Sequence, residues 1–163
     1  MLTFMIDTAA DWERRVAALW DSFDDHPAGF LGRMTELIAE LPAGHPVAAY
    51  ELASVHDALD GEVEAAALYR EALAAGLAGS RRRMAVIQYA STLRNLGRAE
   101  ESVGFLTAER DAVSDGLDDA VAAFLALALA DTGRAREATG VALAALAPHL
   151  CAYTRSVTHY AHD

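Results

Sequence analysis

Apolar residues recur along this chain at helical spacing and nowhere with the strict alternation of a strand. Trp12, Val16, Leu19, Trp20 and Phe23 share one helical face, and Thr8 followed by Asp11 has the form of a capping arrangement, so a first helix is predicted over 8–24. Asp24-Asp25-His26-Pro27 ends it, because proline cannot continue a helix but is well suited to begin one. A second helix runs through Phe30, Leu31, Met34, Leu37, Ile38 and Leu41 until Pro42, Gly44 and Pro46 interrupt it. Beyond that point, paired helices are predicted over 46–59 and 62–75, 81–96 and 99–113, and 118–131 and 135–147. Ser80 is expected to cap the second pair, and Asp115-Gly116 holds the same place before the third. Pro148 is expected to open a last helix through Leu150, Tyr153, Val157 and Tyr160. The reading is an all-α chain of about nine helices in one curved stack.

The pairs are punctuated at nearly one interval. Asp60, Gly97 and Gly133 lie thirty-seven and thirty-six residues apart, each between two apolar helical stretches. Five places after each stands a small residue, Ala65, Ser102 or Ala138, and upstream of each a larger residue precedes alanine: Leu52-Ala53, Tyr89-Ala90 and Leu125-Ala126. Such a period denotes stacked helix pairs that bury their apolar faces against their neighbours. The array divides into repeats over 46–80, 81–116 and 117–148, with a leading helix pair in 1–45 and a capping helix in 149–163, all in a single domain over 1–163. The leading pair, with Trp12, Trp20, Phe23 and Phe30, is expected to serve as a hydrophobic cap.

The stretch Tyr50-Glu51-Leu52-Ala53-Ser54-Val55-His56, with Leu59-Asp60-Gly61, Ala65, Tyr69 and Ala72-Leu73 after it, resembles a tetratricopeptide repeat. Gln88-Tyr89-Ala90-Ser91-Thr92-Leu93-Arg94-Asn95-Leu96-Gly97-Arg98 is the most typical unit, and the chain is similar to small stand-alone bacterial members of that family. The resemblance implies a right-handed α-α superhelix, a solenoid of antiparallel helix pairs that holds a peptide or helix of a protein partner in its concave groove. The first helix of each pair would line that groove. This places Val47, Tyr50, Ser54 and Asp57 there, then Met84, Ile87, Ser91, Arg94 and Asn95, and then Ala120, Ala123, Leu127 and Asp131. Members that clamp a carboxylate carry Lys, Arg and Asn on this line; here only Arg94 and Asn95 do, so clamping of that kind is not expected.

Charge narrows the choice of partner. The chain has 24 acidic residues against 13 basic ones, all of them Arg, for a formal net charge of −11. An acidic surface repels phosphate backbones and anionic lipid, so neither nucleic acid nor a membrane surface is expected as partner. The longest apolar run, Ala120 to Ala130, is about half of the roughly 20 residues that a spanning helix needs. No positive side chain precedes Arg14, unlike in a signal peptide, and Cys151 stands alone, so a cytoplasmic location is expected.

Candidate chemistry is sparse. His159-x-x-His162 supplies two ligands where zinc needs three or four, His56 is expected to be a packed ring, and Cys151 a small buried apolar residue. With no phosphate loop or nucleophile motif, no catalytic residue, metal or cofactor is assigned and a non-enzymatic role is expected. Arg81-Arg82-Arg83 opposes the dipole at a helix N-terminus. Carboxylates such as Glu51, Glu71 or Asp115 are expected to neutralise it; otherwise the cluster is a docking point for an acidic partner. Ala120–Ala130 is apolar all round and is expected to be covered on every side, by its own chain, by a partner, or by a second copy. A structural homodimer is therefore the alternative to peptide binding.

Overall fold

The computed structural model describes residues 2–112 and 114–162, with side chains from residue 9 onward. Among the described residues every regular element is helical, and the chain divides into two compact units, Met1–Gly76 and Leu77–Asp163. The seam lies at the Gly76–Ser80 segment that separates the first and second repeats in sequence.

The first unit holds α1 (Leu2–Asp21), α2 (Phe30–Ile38), α3 (Pro46–Ala58) and α4 (Glu62–Ala74). Its core joins the leading pair to α3: Trp12, Val16, Phe30, Met34 and Ile38 pack with Val55. Both indoles find acceptors, as a buried N–H requires. Trp12 Nε1 donates to the Leu37 carbonyl at 2.8 Å, and Trp20 Nε1 donates to Glu51 Oε2 at 3.0 Å. Of the leading pair's aromatic residues, Trp12 and Phe30 thus lie in the core of this unit and Trp20 and Phe23 pack against it.

The second unit holds α5 (Gly79–Asn95), α6 (Ala99–Ala112), α7 (Asp118–Asp131), α8 (Ala135–Leu146), a 3-10 turn (Ala147–His149) and α9 (Thr154–Ala161). α7 is central, packing on α5, α6 and α8, while α9 packs on α8 and the 3-10 turn. The core consists of Ile87, Ala90, Val103, Leu106, Val121, Leu125, Ala126, Ala128, Leu129 and Ala138. Each fully buried leucine among them contributes about 1.5–3 kcal/mol, and the alanines let the axes approach.

The sequence period is reproduced bond for bond at the turns. Asp60, Gly97 and Gly133 all adopt left-handed backbone, with φ of 60°, 75° and 80°. The residue after each donates to the carbonyl five places back: Gly61 to His56 at 2.7 Å, Arg98 to Leu93 at 2.8 Å, Arg134 to Leu129 at 2.9 Å. This is the Schellman ending, which satisfies orphan carbonyls and reverses the chain. The small residues that follow, Ala65, Ser102 and Ala138, are all buried in the helix crossings.

Five local expectations are corrected. α1 already runs from Leu2, so Thr8 lies within it rather than capping it, because the apolar period continues upstream through Met5 and Leu2. Ser80 lies inside α5; Ala78 is its N-cap and makes no side-chain cap, with Gly79 turning the chain at φ 65°. Pro148 sits in the 3-10 turn, after which Leu150 is extended (ψ 134°) and Tyr153, at φ 67°, starts α9 afresh. Cys151 falls in that break and is exposed, not buried. Finally, α7 is not covered on every side by its own chain: Val121, Leu125, Ala126, Ala128 and Leu129 are buried, but Ala123, Leu127 and Ala130 are exposed.

Candidate functional site

In the first unit, the α3 positions assigned to the groove turn largely inward. Val47 and Asp57 are half-buried, and Tyr50 and Ser54 are buried. Ser54 Oγ donates to the Tyr50 carbonyl at 3.0 Å, and the Tyr69 hydroxyl makes long hydrogen bonds to Ser54 Oγ (3.4 Å) and Asp57 Oδ2 (3.5 Å). Burial pushes the Tyr69 phenol well above its ordinary value, keeping it a donor. Tyr50 and Ser54 therefore belong to an internal network and present no surface to a ligand.

In the second unit, α5 and α7 lie side by side, and most of their groove positions form a strip of half-buried and exposed residues. On α5, Met84, Ser91 and Arg94 are half-buried and Asn95 is exposed, whereas Ile87 is only 6% exposed and belongs to the core. On α7, Ala120 is half-buried, and Ala123, Leu127 and Asp131 are exposed. Leu127 is 47% exposed, a leucine raised between alanines. Arg94 Nη1 meets Asp131 Oδ2 at 3.0 Å and ties the C-terminal ends of the two helices together. This pairing of two groove-line residues from different repeats was not legible in the sequence.

Two members of the strip escaped the sequence reading. Gln88 follows Met84 by one turn and precedes Ser91 and Asn95 on the same helical face; its Oε1 is enclosed and has no hydrogen-bond partner, as is Arg94 Nε. Ala130 continues the exposed stripe of Ala123 and Leu127. The helical period alone could have found both.

The arginine cluster is turned to internal use. Arg82 Nη1 donates to Glu109 Oε1 at 2.6 Å and Oε2 at 2.7 Å. Arg83 is 3% exposed and pairs with Asp118 Oδ1 at 2.8 Å, Asp115 Oδ1 at 2.7 Å and, more distantly, Glu109 Oε1 at 3.7 Å. Its Nη1 and Nε are enclosed without a hydrogen bond, so the Asp115 and Glu109 contacts are ion pairs of poor angular geometry. Asp115 was among the expected partners; Glu109 was not. Arg82 and Arg83 are thus committed to α6 and α7, while Arg81 is half-buried. Ser114's hydroxyl, then the Asp115 amide and Arg83, hold the Asp118 carboxyl below its ordinary value.

Among the described residues no group of three or more His, Cys, Asp or Glu is arranged to hold a metal ion, and no helix is long and apolar enough to cross a membrane. His56 is half-buried, with its carbonyl in the turn at Gly61. Compared with known families, residues 46–163 match the family model described as Tetratrico peptide repeat. No curated protein and no solved structure matches the chain.

Proposed function

The chain belongs to the tetratricopeptide repeat family, whose members are protein-interaction scaffolds, and on that premise we propose that the α5–α7 strip binds a peptide or helix of a protein partner. The observation that carries this reading is the exposed apolar stripe of Ala123, Leu127 and Ala130 on a helix whose other face, Val121, Leu125, Ala126, Ala128 and Leu129, is buried in the core. Leu127 is the anchor, inserting between apolar groups of the partner, and small alanines on either side admit a close backbone. Asn95 and the Arg94–Asp131 pair supply the polar end of the strip. Tyr50, Ser54 and Ile87 act behind the surface, as core.

The test compares wild type with Leu127→Glu and Ala123→Glu as baits in extract of the native host. Both substitutions should abolish capture of a partner while circular dichroism is unchanged, and Val63→Glu, at an exposed site of α4, should leave capture intact. A partner retained by Leu127→Glu defeats the assignment. The competing occupant is a second copy of the chain; it requires a dimer of purified wild type in sedimentation that Leu127→Glu dissociates.

A further inference from the structure

A cleft of about 790 Å3 opens in the second unit and shares no residue with the α5–α7 strip. Its volume lies within the roughly 300–1,000 Å3 common for small-molecule sites. Val121 and Ala122 of α7 and Val141, Ala144 and Ala145 of α8 give it an apolar wall, and Arg110 and Ser114 stand at its edge. We propose that this cleft binds a small organic anion: an apolar body carrying one carboxylate, held by Arg110.

The hydrogen-bond accounting of the wall selects that chemistry. Arginines and carboxylates are equal in number there, but Asp118 and Glu137 have both oxygens engaged and Asp119 has one. Asp118 takes Arg83 at 2.8 Å and the Asp115 amide at 3.1 Å on Oδ1, and the Ser114 hydroxyl at 2.6 Å on Oδ2. Both oxygens of Glu137 accept from Arg134, and Asp119 Oδ2 lies 2.9 Å from His149 Nε2. Among the described residues Arg110, by contrast, meets only its neighbour Asp111, through Nε at 3.0 Å, and its forked Nη end is left to donate. Spare capacity at the cleft is therefore donor capacity beside an apolar wall. A planar guanidinium fork matches a carboxylate in two parallel hydrogen bonds. The net charge of −11 disfavours more highly charged anions. Charges beyond about 8 Å are largely screened at physiological ionic strength, which leaves the local groups to decide.

Titration of the full chain with octanoate, alongside octan-1-ol and octylamine, tests this by calorimetry and by NMR of the Val121 and Val141 methyl groups. Octanoate should move those methyl signals and bind about tenfold tighter than the alcohol. Arg110→Ala should abolish that preference while leaving the alcohol's affinity unchanged, and Leu127→Glu should leave octanoate binding intact, which separates this site from the peptide strip. Equal affinity for alcohol and carboxylate, a preference surviving Arg110→Ala, shifts confined to residues outside the cleft, or no octanoate binding at millimolar concentration would each overturn the proposal.

Discussion

Gly140 is where α8 and α9 come closest, and adding a single methyl group there separates local from global stability. A Cβ at Gly140 would lie 2.6 Å from the Ala161 carbonyl oxygen, a backbone atom that no side-chain rotation can remove. Elsewhere an exposed helical glycine changed to alanine gains about 1 kcal/mol. Gly104 in α6, with nothing within 4 Å of its Cβ position, is such a site. At Gly140 the same intrinsic gain meets a collision that is relieved only if α9 moves. α9 buries no side chain fully; Val157 and Ala161 are half-buried, and Tyr160 is exposed. Their partial burial is worth about 1 kcal/mol together, so shifting α9 costs less than bending α8 away from the core. Gly140→Ala should leave overall stability within about 1 kcal/mol of wild type, whereas Gly104→Ala should raise the melting temperature by about 2–4 °C. Native-state hydrogen exchange should show lost protection over 157–162 in Gly140→Ala and unchanged protection in α7. If Gly140→Ala stabilised as much as Gly104→Ala and kept α9 protected, the close approach would have no energetic consequence and the reasoning would fail.

Other substitutions probe the remaining arguments. Glu109→Ala removes a carboxylate only 2% exposed that serves Arg82 and Arg83; Arg83 keeps Asp115 and Asp118, so urea unfolding should report a loss of about 2–4 kcal/mol. Asp60→Gly replaces a side chain held at φ 60° and should stabilise by about 0.5–1 kcal/mol in thermal unfolding; a loss would mean that the Asp60 side chain supports the turn. Ile87→Glu should unfold the second unit, as burying an unpaired charge demands, while Leu127→Glu should leave circular dichroism and melting nearly unchanged; equal damage from both would refute the burial pattern. Asp118 has a folded pKa below its ordinary 3.8, so the stability it adds is complete above that pH and is lost as pH falls through the folded value. Asp118→Asn should therefore be less stable than wild type at neutral pH, and denaturation curves should show the gap closing in acid.

How much of this was legible depended on the range of the interaction. The repeat period was, because Asp60, Gly97 and Gly133 each encode a local backbone requirement, and the left-handed turn with its five-back hydrogen bond needs no information from elsewhere in the chain. Small residues after each turn were legible for the same reason, since the Schellman ending fixes which side of the next helix meets its partner. Boundaries were less so: the break at 150–153 depends on Pro148 settling into a 3-10 turn instead of opening a helix, a choice made by packing of α9 on α8.

The groove line shows where sequence reasoning stops. Assigning one face of α3, α5 and α7 to a ligand presumes that the whole face is open, yet helix–helix packing takes a wide part of each circumference. Tyr50 and Ile87 lie at the margin of that face and bury about as completely as their neighbours, whereas Leu127, inside the apolar run Ala120–Ala130, is left half exposed. An all-apolar run of eleven residues cannot announce its exposed stripe through composition; the stripe is defined by what α5, α6 and α8 leave uncovered. The same holds for charge. Arg81-Arg82-Arg83 reads as a patch in one dimension, but Glu109, Asp115 and Asp118 arrive from the end of α6 and the start of α7 and consume Arg82 and Arg83. At the cleft, the positive charge with spare donors lies instead at Arg110, a residue that nothing in its local sequence sets apart, and it becomes distinctive only beside the apolar wall of α7 and α8.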